Sequence, residues 1–329
     1  MRTILLAGLA LAASVATAAQ PEVKVAKWKG DVKACFLLAF DDGCPSQLQN
    51  AIPVLNKYKI PGTLYLFPEG GHFSWQKDKW AKAAESEYIF LGNHTINHKG
   101  INAPEELEPQ VMKCAEVLKA MQPQLTWPRL VSFAIPGGVP WQISKEEVKS
   151  VLHRHHHVER PIYHGPPFFC GKTEEVLKLI DTTIAKGGME HVDFHGVGGD
   201  WLAVPTDYLE AICKKLDASR KDVWAAAAEQ HDKYVAERDA AKIVKFAGNK
   251  MRVTFEVTIP GLDAKIYDQP LTVVVPAEGW KTAKVTVGKA KPVTVEVTDN
   301  KVVVDTLAGP VKVEKVKYIL TGPVPATCG

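Results

Sequence analysis

Ala34-Cys-Phe-Leu-Leu-Ala-Phe-Asp-Asp-Gly43 sets the reading of the whole chain. Its first seven residues form a short, unbroken apolar run, as expected of a buried β-strand. Asp41 and Asp42 follow at once, with Gly43 behind them. In α/β folds the side chains that do chemistry gather just past the carboxyl ends of strands. Two adjacent carboxylates repel each other unless a cation or a function compensates. Asp-Gly is also a common turn dipeptide, so the stretch alone leaves both readings open.

Working outward, strands and helices alternate. Ser46 to Tyr58 carries Leu48, Ile52 and Leu55 at helical spacing, and Gly62 to Phe67 is a second strand. Pro104 to Met121 predicts a helix, with acidic residues in its first turn and Val111, Ala115 and Leu118 on one face. Leu130 to Ile135 is a third strand. Helices over Lys172 to Lys186 and Asp207 to Leu216 flank a strand over His191 to His195. Such alternation predicts an α/β fold with a mostly parallel sheet or barrel. After about Ala241 the texture is all-β. Met251 to Ile259 and Val293 to Val297 alternate, Leu271 to Val275 and Val302 to Val304 are β-branched, and Asp299-Asn300 and Gly309-Pro310 supply turns. The expected layout is a catalytic domain over 19–240 and a small sandwich-like β domain over 241–329. The Ala-rich stretch Ala225 to Lys242 reads as the helix that joins them.

The 329 residues carry 40 basic and 37 acidic side chains, a formal net charge of +3. So small an excess gives no electrostatic argument for nucleic acid or an anionic membrane as partner. Met1 to Gln20 has one Arg, then Leu and Ala, then Ala16-Thr17-Ala18, which fits a signal-peptidase site. The run is shorter than the roughly 20 residues of a membrane span, and no later segment approaches one. Residues 1–18 are therefore expected to be a signal peptide, and the mature protein exported to the periplasm or beyond. Cys35, Cys44, Cys114, Cys170, Cys213 and Cys328 show no C-x-x-C spacing, which argues against a zinc ribbon. Export permits disulfides, from one bridge among buried thiols to three.

Two further features stand at positions suited to chemistry. Gly92-Asn-His-Thr-Ile-Asn-His98 contains His-x-x-x-His, and on a helical turn both imidazoles would share a face and reach one ion. Two His and one Asp suit zinc or a similar divalent metal with open positions. His195 ends a strand beside the glycines 196–199, where it is placed to act as a general acid. His153, His155, His156 and His157 lie among Lys149, Arg154, Glu159 and Arg160, which reads as a solvated helix end. Trp75, Trp80, Trp141 and Trp201 offer surfaces for sugar rings but fit core packing equally. Phe255, Tyr267, Trp280 and Tyr318 are few for a carbohydrate-binding module, and Lys281, Lys284, Lys289 and Lys291 read as a solvated face. The β domain is thus expected to be a packing or spacer element.

These residues occur in an order that resembles the polysaccharide deacetylase family, the NodB-homology domain of carbohydrate esterase family 4. Phe40-Asp-Asp-Gly43 looks like its first motif and His94-Thr-Ile-Asn-His98 like its second. Phe133-Ala-Ile-Pro-Gly-Gly138 is similar to the third, and Val192-Asp-Phe-His195 to the fifth. Val223-Trp224, with Glu229 and Tyr234, is similar to the closing segment. The resemblance covers all but the β segment. It implies a distorted (β/α) barrel and metal-assisted removal of acetyl groups from an N- or O-acetylated glycan. It implies that Asp42, His94 and His98 bind the metal, that Asp41 is the general base and that His195 is the general acid. It further implies that the Gly137 amide faces the oxyanion. Thr95 would bridge the two histidine-bearing turns by hydrogen bonds.

Three departures stand out. The arginine that steadies the catalytic Asp in the third motif falls on Ala134, the leucine of the fifth motif falls on Asp193, and the fourth motif's Asp-Trp pair is missing, with Asp200-Trp201 lying elsewhere. Zinc is the expected ion, with cobalt, nickel and iron also suited to the ligand set. Two other readings remain: an amidohydrolase acting on a small amide, and a catalytically impaired glycan-binding protein.

Overall fold

A computed structural model describes residues 22–70, 72–165 and 172–316. Cys170, Cys328 and Tyr318, and the leader over 1–18, lie outside them. The chain opens with β1 (Lys24–Val25), then β2 (Ala34–Phe40), β3 (Gly62–Leu66), β4 (Ile89–Asn93), β5 (Val131–Phe133), β6 (His157–Glu159), β7 (Met189–Phe194) and β8 (Val223–Ala226). From β2 to β8 all pairings are parallel, in the order β6-β5-β4-β3-β2-β7, with β8 also on β2. The segment just past β6 closes the ring. The His164 amide donates to His191 O (2.8 Å), and the Asp193 amide donates to His164 O (3.0 Å). β8 shares one edge of β2 with β3: Ala34 to Leu37 face β8, while Ala39 and Phe40 face β3. The result is a closed but distorted (β/α) barrel.

Among the described residues seven α-helices accompany these strands: α1 (Ile52–Tyr58), α2 (Lys77–Ala83), α3 (Pro104–Met121), α4 (Lys145–Arg154), α5 (Thr173–Lys186), α6 (Thr206–Ala218) and α7 (Ala228–Ala240). All of β2 is buried, because its two faces meet different partners. Ala34, Phe36, Leu38 and Phe40 pack outward with Leu55, Ile180, Leu209 and Ile212 of the helices. Cys35 and Leu37 pack with Trp28 and Ala226, and Ala39 with Tyr65 and Ala134, on the other face. Strand alternation carries that second face on to Asp41. In β7 Val192 and Phe194 join the outer core, so His191, Asp193 and then His195 point the other way.

The second domain is a sandwich of two antiparallel sheets. They use β9 (Lys242–Asn249), β10 (Arg252–Thr258), β11 (Leu271–Pro276), β12 (Thr282–Val287), β13 (Val293–Glu296), β14 (Lys301–Thr306) and β15 (Gly309–Lys315). The orders are β1-β11-β14 and β13-β12-β15-β10-β9. Alternating Val253, Phe255 and Val257 meet Leu271, Val273 and Val275 in one core. The sandwich is completed by β1, from the other end of the chain, through Lys24 and Val25 opposite Val274 and Val273. Tyr234 of α7 reaches this core and donates its hydroxyl to Ala26 O (3.0 Å). Phe255 and Trp280 are buried there, which leaves neither ring free to stack on a sugar. Lys281, Lys284, Lys289 and Lys291 are exposed, as a solvated face requires.

Several boundaries differ from the sequence reading. Ala225 and Ala226 belong to β8, and the joining helix begins only at Ala228. Residues Gln47–Ala51 are π-helical before α1 begins. Cys35, Cys44, Cys114 and Cys213 are buried free thiols, so a framework of three disulfides is not present.

Phe36 is fully buried in the outer core, among the largest side chains so placed. Its replacement by Ala removes that ring and leaves a cavity, which should cost about 3–5 kcal/mol. Urea unfolding of Phe36→Ala against the unsubstituted chain measures it.

Candidate metal centre and active site

Four strand ends build the site. Asp41 and Asp42 follow β2, His94 follows β4, Arg160 follows β6, and Asp193 and His195 lie at the end of β7. Asp42 adopts a left-handed backbone (φ 70°), which turns the chain sharply between the two carboxylates. Its Oδ1 lies 3.5 Å from Nε2 of His94 and 3.5 Å from Nε2 of His98. Those separations are long for hydrogen bonds. They match the roughly 3.4 Å between two donors that each bind one tetrahedral ion at about 2.1 Å. Asp42 Oδ1 is buried and has no hydrogen-bond partner. An orphaned carboxylate oxygen facing two imidazole nitrogens is what a divalent ion would satisfy. The three residues therefore fit the group that the sequence implied.

The tautomer agrees. His94 Nδ1 lies 2.9 Å from Ala134 O, so Nδ1 carries the hydrogen and Nε2 presents its lone pair to Asp42. The histidines are not on a helical turn, contrary to the sequence expectation. They lie in an irregular loop after β4, with Thr95 (φ 64°) and His98 (φ 56°) both left-handed. Hydrogen bonds hold that loop. The Thr95 amide donates to Asn93 Oδ1 (2.9 Å), and the His98 amide donates to the Thr95 hydroxyl (3.0 Å). Phe67 packs on the His98 ring at 5.1 Å.

Arg160 is the group the sequence reading passed over. Its Nη1 and Nη2 donate to Asp41 Oδ1 and Oδ2 (2.7 and 2.8 Å), a bidentate pair. Nη1 also donates to Asp193 Oδ1 (3.0 Å). The guanidinium lies over the rings of Tyr163 (3.9 Å) and Tyr65 (4.9 Å). Ala134 thus leaves Asp41 with an arginine after all, delivered from the next strand. Burial pushes the Asp41 carboxyl up, but the Arg160 charge, aided by His94, outweighs it and holds the group down at about 2. Burial, then the Asp41 charge, pushes Asp193 well up from the ordinary carboxylate range. Asp41, Asp193 and His195 also form an acidic cluster, but Arg160 already fills the space between the two carboxylates.

His195 faces Asp42 through Nε2 (3.6 Å to Oδ2) and Asp193 through Nδ1 (3.9 Å to Oδ2). Nδ1 and that Oδ2 both lack a hydrogen-bond partner, so a small closure would join them. Gly137 lies exposed in the loop after β5, with nothing within 4 Å of its Cβ direction. Among the described residues no hydrogen bond ties it to Asp42, His94 or His98. Trp75 and Trp201 are 86% and 65% exposed, whereas Trp80 is fully buried and Trp141 packs edge-on against Phe133.

The histidine run is only partly solvated. His157 is buried in β6, donates Nδ1–H to His155 O (2.7 Å) and accepts from Asn93 Nδ2 (3.0 Å). Burial lowers its pKa from 6.5 to about 4. Protonation would place an N–H against the Asn93 amide, whose other atom holds Thr95. Because the folded value is depressed, the contribution of His157 to stability is complete above pH 6.5 and is lost as pH falls through about 4. His157→Gln keeps an acceptor without a titrating group. Its urea midpoint should fall less than that of the unsubstituted chain between pH 6.5 and 4. The Arg160→Met chain leaves two buried carboxylates facing each other, and chemical unfolding at neutral pH should show a loss of about 3–5 kcal/mol.

The "Polysaccharide deacetylase" family model matches residues 29–156. A putative polysaccharide deacetylase of Bacillus subtilis strain 168, YxkH, is 28% identical over 95 residues, which are 28% of this chain and 34% of that protein. The match therefore spans about a third of that relative's length. Among solved structures, a family 4 carbohydrate esterase from Streptomyces lividans in complex with acetate aligns at 14% identity and TM-score 0.44, over 59% of this chain and 93% of that one. The peptidoglycan deacetylase PdaC from Bacillus subtilis aligns at 17% and 0.42, over 63% and 94%. A family 4 pseudoenzyme from Bacillus anthracis aligns at 17% and 0.43, over 58% and 63%. These superpositions are partial, and the fold rests on the strand order itself. Residues 29–156, the segment that matches the polysaccharide deacetylase family, hold Asp41, Asp42, His94 and His98 together.

Proposed function

We propose that this protein is an exported, metal-dependent hydrolase that removes acetyl groups from an N- or O-acetylated polysaccharide. The observation that carries this reading is the orphaned Asp42 Oδ1 at 3.5 Å from two imidazole nitrogens, beside the Arg160-bound Asp41. Asp42, His94 and His98 would hold a divalent ion, zinc being the best fit. Such an ion supplies Lewis-acid polarisation of a carbonyl and a water of lowered pKa.

The chain's own residues supply the rest. Asp41 is ionised at neutral pH because Arg160 holds it so. It is the proton acceptor for the attacking water, and Arg160 fixes both of its oxygens in place. His195, with Nε2 3.6 Å from Asp42 Oδ2, protonates the departing amine or alcohol. Asp193 beside Nδ1 orients the imidazole, as a carboxylate does in other acid–base pairs. The exposed Gly137 amide is available to the substrate's oxyanion. The Arg160 pairing favours an enzyme over an impaired glycan-binding protein, because it restores the charge partner that Ala134 withholds. The leader over residues 1–18 is the support for export, and a polymeric substrate suits an exported enzyme better than a small amide.

The test is acetate release from acetylated chito-oligosaccharides, acetylated xylan and a panel of small amides, with zinc present or chelated. Asp41→Asn should lower kcat about 10²–10⁴-fold, the span of a lost general base. Asp42→Ala should lower bound zinc as well as rate. Equal rates for Asp41→Asn and the unsubstituted chain, or turnover indifferent to chelation, would sink the proposal.

A further inference from the structure

The two catalytic strands part company at the site itself. β2 and β7 run as a parallel ladder through Phe40 opposite Phe194, and the Asp41 amide still donates to Phe194 O (2.8 Å). The next rung of a parallel ladder would run from the Gly196 amide to Asp41 O. It is missing, because Gly196 N instead donates to Trp201 O (2.9 Å) as the chain turns into the glycine loop. That turn needs glycine, since a Cβ at 196 would lie 2.0 Å from Gly199 O. The Asp41 carbonyl is thereby left without its ladder donor, in a part of the protein that water does not reach freely.

Gln47 replaces the lost rung. It is fully buried in the first helical turn after the Asp41-Asp42-Gly43 loop. Its Nε2 donates one hydrogen to Asp41 O (2.6 Å) and the other to His195 O (2.9 Å). Its Oε1 has no partner. A side chain present only for packing would not carry that orphaned acceptor, which a Leu or Met at this position would avoid. The neighbouring turns clamp the same loop. The Val197 amide donates to Ser46 Oγ (3.1 Å), Ser46 Oγ donates to Gly199 O (2.9 Å) and Asn50 Nδ2 donates to Val197 O (2.7 Å). The Ser46 amide donates to Asp200 Oδ2 (2.6 Å).

We infer that Gln47 is a positioning residue that sets the separation between Asp41 and His195, with Ser46 and Asn50 holding the loop that bears His195. The inference rests on the proposed acid–base roles of those two residues. It adds that their spacing is completed by one side-chain amide where the ladder between the two strands stops. Gln47 touches none of Asp42, His94 and His98 through its amide, so its loss should leave metal binding intact. Small misplacements of catalytic groups cost on the order of 10²-fold in rate.

The experiment uses the full zinc-loaded chain and Gln47→Met, which keeps length and volume but has no donor. The expected result is a kcat about 10²-fold lower with KM and zinc content within twofold. In the metal-free protein, amide hydrogen exchange should quicken at Gly196 to Gly199 while exchange in α3 stays unchanged. Gln47→Glu, which keeps the shape but turns both donors into acceptors, should behave like Gln47→Met or worse. A Gln47→Met chain with unchanged kcat and unchanged exchange in the loop would overturn the inference. If the unsubstituted chain releases no acetate from any substrate, the functional reading fails by itself. The exchange measurement then decides the role of Gln47: faster loop exchange in Gln47→Met upholds it, and unchanged exchange refutes it.

Discussion

The buried guanidinium of Arg160 is the constraint on which the rest of the site depends. Strand alternation drives Asp41 and Asp193 into the same mouth of the barrel, where both are at most a few per cent exposed. Two carboxylates in that setting cannot both remain charged without a cation. Arg160 meets Asp41 with two hydrogen bonds and Asp193 with a third, and the rings of Tyr65 and Tyr163 sandwich its planar face. A lysine would offer a point charge without the fork or the stacking. The Arg160 charge, aided by His94, outweighs burial and holds Asp41 down, whereas burial and then the Asp41 charge push Asp193 up.

This arrangement depends on how the barrel closes. Arg160 follows β6, and four residues later His164 bonds to β7. The segment that completes the ring is thus the segment that delivers the arginine. Its backbone is fixed on both sides, by Arg160 N to Phe133 O and by His164 to His191 and Asp193. Closure and charge compensation are one event in the fold. The sandwich has a separate core and meets the barrel through α7, where Lys233 lies between Glu229 and Asp268 and Glu229 also meets Arg129.

Much of this was legible in the residues. The β2 run and α3 announce themselves because each has one dominant periodicity over its full length, and both appear with the expected bounds. β4, β6 and β8 escaped because three to five residues in mixed polar company give no period to read. Asp42, His94 and His98 were readable as a set that comes together, yet the reason given for the histidine spacing was wrong: a hydrogen-bonded loop with left-handed residues, not a helix, brings them together. Arg160 was hidden inside a run of histidines and charges that looked solvated. One signal pointed to it. Asp193 alternates with Val192 and Phe194 in a strand whose apolar positions face the core, so a buried acid there required a cation from another strand. Gln47 gave no such signal, since nothing in a sequence reports a ladder rung that fails to form.

The three carboxylates at the mouth are consequently not equivalent, and the difference follows from where each one's cation comes from. Asp41 and Asp193 share Arg160, which the chain provides. Asp42 is turned away from that guanidinium by its left-handed backbone and meets only three imidazole nitrogens, none within hydrogen-bonding distance. Among the described residues no cationic side chain pairs with it, unlike Asp41 and Asp193. An ion supplied from outside is the natural complement to that imbalance. The covalent adjacency of Asp41 and Asp42 then forces the two cations close together without competition for the same oxygens. In this way the chain separates the carboxylate proposed to hold a metal from the carboxylate proposed to move a proton, although they are consecutive residues.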